Sequence, residues 1–255
     1  MINHPLVDFQ GKYVIVTGAT SGIGQAISIE LGRQGAKPIL VGKNPDKLRD
    51  TASQLKSPGM ETLCLDLNDH AAIFPQVKEL SRKIGRIYGL CHSAGIVDTV
   101  PLSSLSVEKI MAMMSVNLVA GIEIARAVSR RDIMEESGGA LLFISSIYGL
   151  IGMPGEVGYS ASKGAILAAS RTMAIELARR KIRVNTLSPG LVKTTMTDVA
   201  FSLLSEKHRK ELEEDHPLGI GTPEDVARAA VFLLAPQNTW ITGIDLVIDG
   251  GYTAR

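Results

Sequence analysis

Along the chain, short apolar runs rich in β-branched residues alternate with longer stretches whose apolar positions recur at helical spacing. The runs predict strands at 13–17, 38–41, 62–65, 87–91, 140–145, 183–187 and 245–248. Between them the periodicity predicts helices at 23–34, 46–55, 70–83, 107–131, 157–180 and 223–234. Asn44 before Pro45 reads as an N-cap followed by the first helical residue, and Thr222 before Pro223, Glu224 and Asp225 reads the same way. The strand runs are apolar throughout, so both faces of the sheet are expected to be covered. Strand–helix alternation with right-handed crossovers then gives an α/β fold, a doubly wound parallel sheet whose ligand site lies beyond the carboxyl ends of its strands.

No linker, repeat or low-complexity tract interrupts the 255 residues, and one domain spanning 1–255 is expected. The stretch 194–216 breaks the rhythm. Apolar Phe201, Leu203 and Leu204 are followed by dense charge from Glu206 to Asp215. It reads either as a surface helical hairpin or as a mobile lid over a substrate.

Composition excludes little but narrows the setting. The net charge of +1 carries no basic excess, so a nucleic-acid partner is not expected. Cys64 and Cys91 sit in apolar runs and read as reduced, buried thiols, and no Cys/His spacing suits a metal. His4, Pro5 and Asp8 interrupt the start where a signal peptide needs an apolar run, and no segment is read as reaching the ~20 apolar residues of a membrane span. A soluble, cytoplasmic protein without a membrane partner is the expectation.

The chemistry begins at TGATSGIG, residues 17–24, between the first strand and the first helix. Glycines there let the backbone approach a pyrophosphate, and the helix start offers unpaired N–H groups and a positive dipole end. The spacing T-G-x-x-x-G-x-G resembles the classical branch of the short-chain dehydrogenase/reductase family. SVN at 115–117, Ser146, YSASK at 159–163, SPG at 188–190 and DGG at 249–251 extend the resemblance over nearly the whole chain. It implies a Rossmann-type sheet of seven parallel strands, usually assembled into homotetramers, that binds a nicotinamide cofactor. It further implies cofactor contacts from Gly18, Thr20, Ser21, Gly22, Ile23 and Gly24, from Asp66 at the adenine with Leu67 beside it, and from Ser93, Ala94 and Gly95. Pro189, Gly190, Val192 and Thr194 match the segment that holds the nicotinamide carboxamide. At 92–95 the chain reads HSAG where the family usually has N-N-A-G. His92 is read as a hydrogen-bonded structural residue rather than a base.

After the second strand comes LVGKN. Gly42 stands where NAD-using relatives carry Asp, and Lys43 follows as a cation for a 2′-phosphate. NADP(H) is the preferred cofactor; NAD(H) stays open, with Lys43 then a solvated loop lysine.

Reducing a carbonyl requires a proton donor and a polarising hydrogen bond at the oxygen. Tyr159 and Lys163 are four residues apart and share one face of a helix, where an ammonium is expected to lower the phenol pKa. Ser145 and Ser146 are not separated by strand alternation; the family register selects Ser146. Tyr148 has Gly152 four residues on and therefore no cation one turn later. By resemblance, Tyr159 donates the proton and Lys163 also binds the nicotinamide ribose. Ser146 bonds the substrate oxygen, and Asn117 helps hold a relay water. The reading is an NADPH-dependent reductase of a ketone to a secondary alcohol. Segments 217–227 and 240–251 look most like 3-oxoacyl-ACP reductases, so a 3-oxoacyl thioester is one candidate. A sugar, steroid or small-alcohol substrate with NAD remains another, and an NADP(H)-binding sensor or assembly protein without turnover is the rival.

Overall fold

A computed structural model describes residues 7–55, 57–195, 197 and 206–254. Seven parallel strands form one sheet: β1 (Tyr13–Thr17), β2 (Lys37–Gly42), β3 (Glu61–Cys64), β4 (Gly89–His92), β5 (Gly139–Ile144), β6 (Ile182–Pro189) and β7 (Asp245–Ile248). Their order is β3-β2-β1-β4-β5-β6-β7, so the winding reverses between β1 and β4. That is the Rossmann arrangement, and it opens a crevice at the carboxyl ends of β1 and β4.

The helices are α1 (Gly22–Arg33), α2 (Pro45–Gln54), α3 (His70–Ile84), α4 (Val107–Met114), α5 (Ala120–Val128), α6 (Val157–Leu177), α7 (Glu206–Glu214) and α8 (Pro223–Leu234). One core lies between the sheet and α3, α5 and α6, the other between the sheet and α1 and α8. Ile15 of β1 points into the first, while Val14 and Val16 point into the second. The strand alternates between two apolar layers, which is why its sequence shows no polar face. Asn44 caps α2 as expected, accepting from the Asp46 and Lys47 N–H groups at 3.0 and 3.1 Å. Thr222 and Asp225 close a reciprocal capping box on α8.

Several expectations are corrected. The helix read at 107–131 is interrupted by a π turn at Ser115–Val119 and ends at Val128. The continuous stretch Val107–Val128, of 22 residues and mean hydropathy 1.4, is long and apolar enough to cross a membrane by length and composition, contrary to the sequence reading. It packs against α3 and α6 as a helix of the body. Cys64 is exposed, not buried, because β3 is an edge strand whose residues alternate in burial; Cys91 on central β4 is buried. Of the 194–216 insertion, residues 194, 195, 197 and 206–216, the last including α7, are described. Phe201, Leu203 and Leu204 lie outside the described residues, as does the N-terminal reading at His4 and Pro5.

Candidate active site

All the motif residues converge on the carboxyl edge of the sheet. The glycine loop follows β1, Lys43 follows β2, Asp66 follows β3, Ser93–Gly95 follows β4, Ser146 follows β5, and the 189–194 segment ends β6. The loop is shaped for close approach. Gly18 has φ +65°, and a Cβ there would lie 2.9 Å from the Ala94 Cα. A Cβ on Gly24 would collide with the Gly18 carbonyl. The helix start is open: α2, α3, α4 and α8 each have a side chain accepting from their first turn, whereas Ser21 makes no such bond to α1. Nor does α1 carry an acid in its first turn. Uncapped N–H groups without a nearby carboxylate suit a pyrophosphate. Thr194 closes the other side, with its methyl 3.3 Å from where a Gly22 Cβ would stand. Its hydroxyl and N–H are tied to Thr197, whose own hydroxyl donates to the Val192 carbonyl at 2.8 Å.

Beside Lys43, after β2, a Cβ on Gly42 would fall 2.8 Å from the Thr20 methyl. A carboxylate side chain at 42 would have no room without moving Thr20. The next acid, Asp46, is paired with Arg49 on the first turn of α2. Lys43 is exposed. Its charge reaches Asp66, whose pKa lies below the ordinary carboxylate value chiefly because the Asn68 N–H and side chain donate to it.

Lys163 lies on the second turn of α6, buried, and donates from Nζ to the Ile144 carbonyl at 2.8 Å. Burial lowers its pKa to about 8. Its ammonium is 5.5 Å from the Tyr159 ring centre. Ser146 caps the 3₁₀ turn Ile147–Gly149, accepting from the Tyr148 N–H at 3.2 Å. Ser145 instead donates to the Lys163 backbone carbonyl at 3.1 Å, a structural bond. The expected lowering of the Tyr159 pKa is not found. Burial pushes it up to about 12, with Ser146 opposing and Glu156 reinforcing the shift. The lysine directs a hydrogen to Ile144 rather than to the phenol.

Asn117 sits in the π turn. Its Nδ2 donates to the Ile96 carbonyl and to Ser162 Oγ, both at 2.9 Å, and its Oδ1 accepts from the Ile96 N–H at 2.8 Å. Both amide hydrogens are committed, so the side chain is a clamp on the loop after β4. Asn117 and Lys163 face each other across Gly95, whose Cβ would lie 3.3 and 3.4 Å from their polar atoms.

Two nearby residues, Glu156 and His216, escaped the sequence reading. Glu156 is buried one turn before Tyr159; Thr99 donates to one of its oxygens, and burial raises its pKa. His216 accepts from the Leu191 N–H at 3.3 Å and donates to the Leu212 carbonyl at 2.8 Å, tying α7 to the segment 189–194. His92, read from the sequence as a hydrogen-bonded structural residue, is indeed joined to both Thr17 and the π turn. A sequence shows such residues only as isolated polar positions; their partners are remote in the chain. Among the described residues, no group of three His, Cys, Asp or Glu is placed to hold a metal.

Comparison with known proteins gives a consistent picture. A family model described as "Enoyl-(Acyl carrier protein) reductase" matches residues 18–253. The chain is 34% identical over 247 residues to a 3-oxoacyl-(acyl-carrier-protein) reductase FabG of Rickettsia typhi, covering 96% of this chain and 98% of that one. It is 32% identical to a D-threitol dehydrogenase of Mycolicibacterium smegmatis over 98% of this chain and 97% of that one. Among solved structures, a short-chain type dehydrogenase/reductase from Mycobacterium marinum superposes with a TM-score of 0.90 at 27% identity, covering 98% of each chain.

Proposed function

The chain belongs to the short-chain dehydrogenase/reductase family, an oxidoreductase acting on CH–OH/C=O groups, and on that premise we propose that it reduces a ketone to a secondary alcohol with NADPH. A 3-oxoacyl thioester is the leading substrate. The observation that carries the reading is buried Lys163, its Nζ 5.5 Å from the Tyr159 ring centre on the same helix and tied to the end of β5 just before Ser146, at the carboxyl edge that also holds the glycine cradle. When bound, the nicotinamide supplies the hydride. Gly18–Gly24 would take the pyrophosphate, Asp66 and Leu67 the adenine side, Ser93–Gly95 the ribose side, and Pro189, Gly190, Val192 and Thr194 the carboxamide. Ser146 donates to the carbonyl oxygen, and Tyr159 gives it a proton as the hydride reaches carbon. That leaves a phenolate, which solvent reprotonates by way of Lys163 and a water at Asn117.

A phenol at about 12 is a weak acid at neutral pH. It suits donation to a developing alkoxide, a far stronger base, and Lys163 Nζ lies close enough to steady the resulting phenolate. NADPH is favoured over NADH because Thr20 crowds position 42 against a carboxylate and Lys43 offers a cation beside it.

The reading includes one domain over 1–255, a cytoplasmic setting and assembly into homotetramers. Apolar surface for a further copy is present in Trp240, Leu218 and Ile175, which are 94%, 88% and 80% exposed.

The test is NADPH consumption over a panel of 3-oxoacyl thioesters, small ketones and keto-sugars, in the wild type and Tyr159→Phe. Turnover lost by about 10²–10⁴-fold in the variant, with NADPH still bound, supports the reading. NADPH binding without turnover on any ketone favours the sensor. Best turnover on a keto-sugar moves the substrate toward that of the D-threitol dehydrogenase relative.

A further inference from the structure

His92 ends β4 and is buried, with its ring 6.1 Å from that of Phe143. Nδ1 lies 3.0 Å from Thr17 Oγ1, and Nε2 lies 3.2 Å from the Val116 carbonyl. The tautomer follows from counting. Thr17 Oγ1 accepts from the Ser93 and Ala94 N–H groups at 3.1 and 3.0 Å, which uses both lone pairs. Its one hydrogen is left for Nδ1. The ring therefore carries its proton on Nε2 and donates it to Val116. Burial, then the charge of Lys163, lowers the ring pKa to about 4, so the ring stays neutral at working pH.

Val116 is in the π turn, one residue before Asn117. A π turn spreads its hydrogen bonds over five residues, Ala120 N–H reaching back to the Ser115 carbonyl, and such turns occur where a helix is adapted to a site. The helix also makes room for the ring. A Cβ on Gly121 would lie 2.7 Å from His92 Cδ2 and 3.0 Å from Nε2. Gly121 and His92 thus fit each other, and an Asn at 92 would leave this space unfilled.

We propose that His92 is a positioning residue that holds the π turn, and with it Asn117 opposite Lys163, by donating Nε2–H to the Val116 carbonyl while its Nδ1 is fixed by Thr17. This rests on the reductase reading and adds a residue to its machinery. Of the two bonds, the one to Thr17 serves the cofactor side and the one to Val116 serves the proton-transfer side.

The two amide side chains separate these roles. Asn at 92 places its oxygen near the Nδ1 position and keeps the Thr17 bond; Gln reaches the Nε2 position and keeps the Val116 bond. In the full-length protein, kcat and KM for the best ketone, the NADPH Kd by fluorescence titration and Tm would be measured for His92→Asn, His92→Gln and Gly121→Ala. The last displaces the ring with His92 still present. Expected is a kcat about tenfold lower in His92→Asn and Gly121→Ala, at a little-changed NADPH Kd, with His92→Gln restored to within about threefold of wild type. Asn equal to wild type, equal losses in Asn and Gln, or kcat falling only in step with Tm in all three variants overturns the proposal and leaves His92 a sheet brace. A wild type that reduces no ketone counts instead against the reductase reading, and so against the role built on it.

Discussion

Replacing Lys163 by Met should make the protein more stable and inactive. The wild-type ammonium is buried, and its pKa is about 8 against 10.5 for an ordinary lysine. A lysine whose folded pKa lies below its unfolded one destabilises the fold. The cost is fully present below the folded pKa and is relieved as pH rises from about 8 toward 10.5. A gap of that size corresponds to about 3 kcal/mol at neutral pH. Met fills similar volume without the charge but abandons the bond to the Ile144 carbonyl, a loss of about 1 kcal/mol. Lys163→Met is thus expected to be about 2 kcal/mol more stable than wild type near pH ~7.5. Between about pH 7.5 and about pH 9.5 the gap between the two should close by about 2 kcal/mol; the Cys91 thiol, pushed up by burial from 9.0, withdraws stability from both alike and cancels in the difference. The window stops there because the phenols of Tyr88, Tyr148 and Tyr159 are raised by burial, and each withdraws stability as pH passes the ordinary tyrosine value of 10.0. Urea titrations by far-UV circular dichroism, at one protein concentration, measure this as a shift in midpoint at constant m. Tryptophan fluorescence is a poor substitute, since Trp240 is exposed in the folded state. A gap between the two that does not close over this window, or a variant less stable at the lower pH, would refute the reasoning. Turnover in the variant should fall by about 10²–10⁴-fold.

Other outcomes follow from single contacts. Lys43→Ala should weaken NADPH by about fivefold and leave NADH unchanged in paired titrations, as expected for one exposed charge pair with phosphate. Gly24→Ala should reduce NADPH binding at least about tenfold by calorimetry, because its methyl needs the space of the Gly18 carbonyl. Arg183→Met should cost about 3 kcal/mol in urea unfolding, since the guanidinium caps the end of α8 by donating to the carbonyls of Leu233, Leu234 and Ala235. Thr222→Ala should lower Tm by about 2–4 °C through loss of the capping box at the other end of α8.

The sequence alone determined the alternation of strands and helices, the caps at Asn44 and Thr222, the glycine loop, and the Tyr159–Lys163 spacing. These are local: each depends on neighbours within one or two turns, so the order of residues carries the information. What only the tertiary structure decided is what depends on partners far along the chain. The π turn at 115–119 has no local signature, because it is adapted to a ring supplied by β4, 24 residues away in the Val116–His92 bond. The Asn117 clamp needs Ile96 and Ser162. The exposure of Cys64 depends on β3 lying at the sheet edge, which strand order sets and strand composition does not. The Tyr159 shift also ran opposite to what spacing suggested. Four residues on a helix bring an ammonium near, but whether it faces the phenol or a carbonyl depends on where β5 ends, and β5 ends at Ile144.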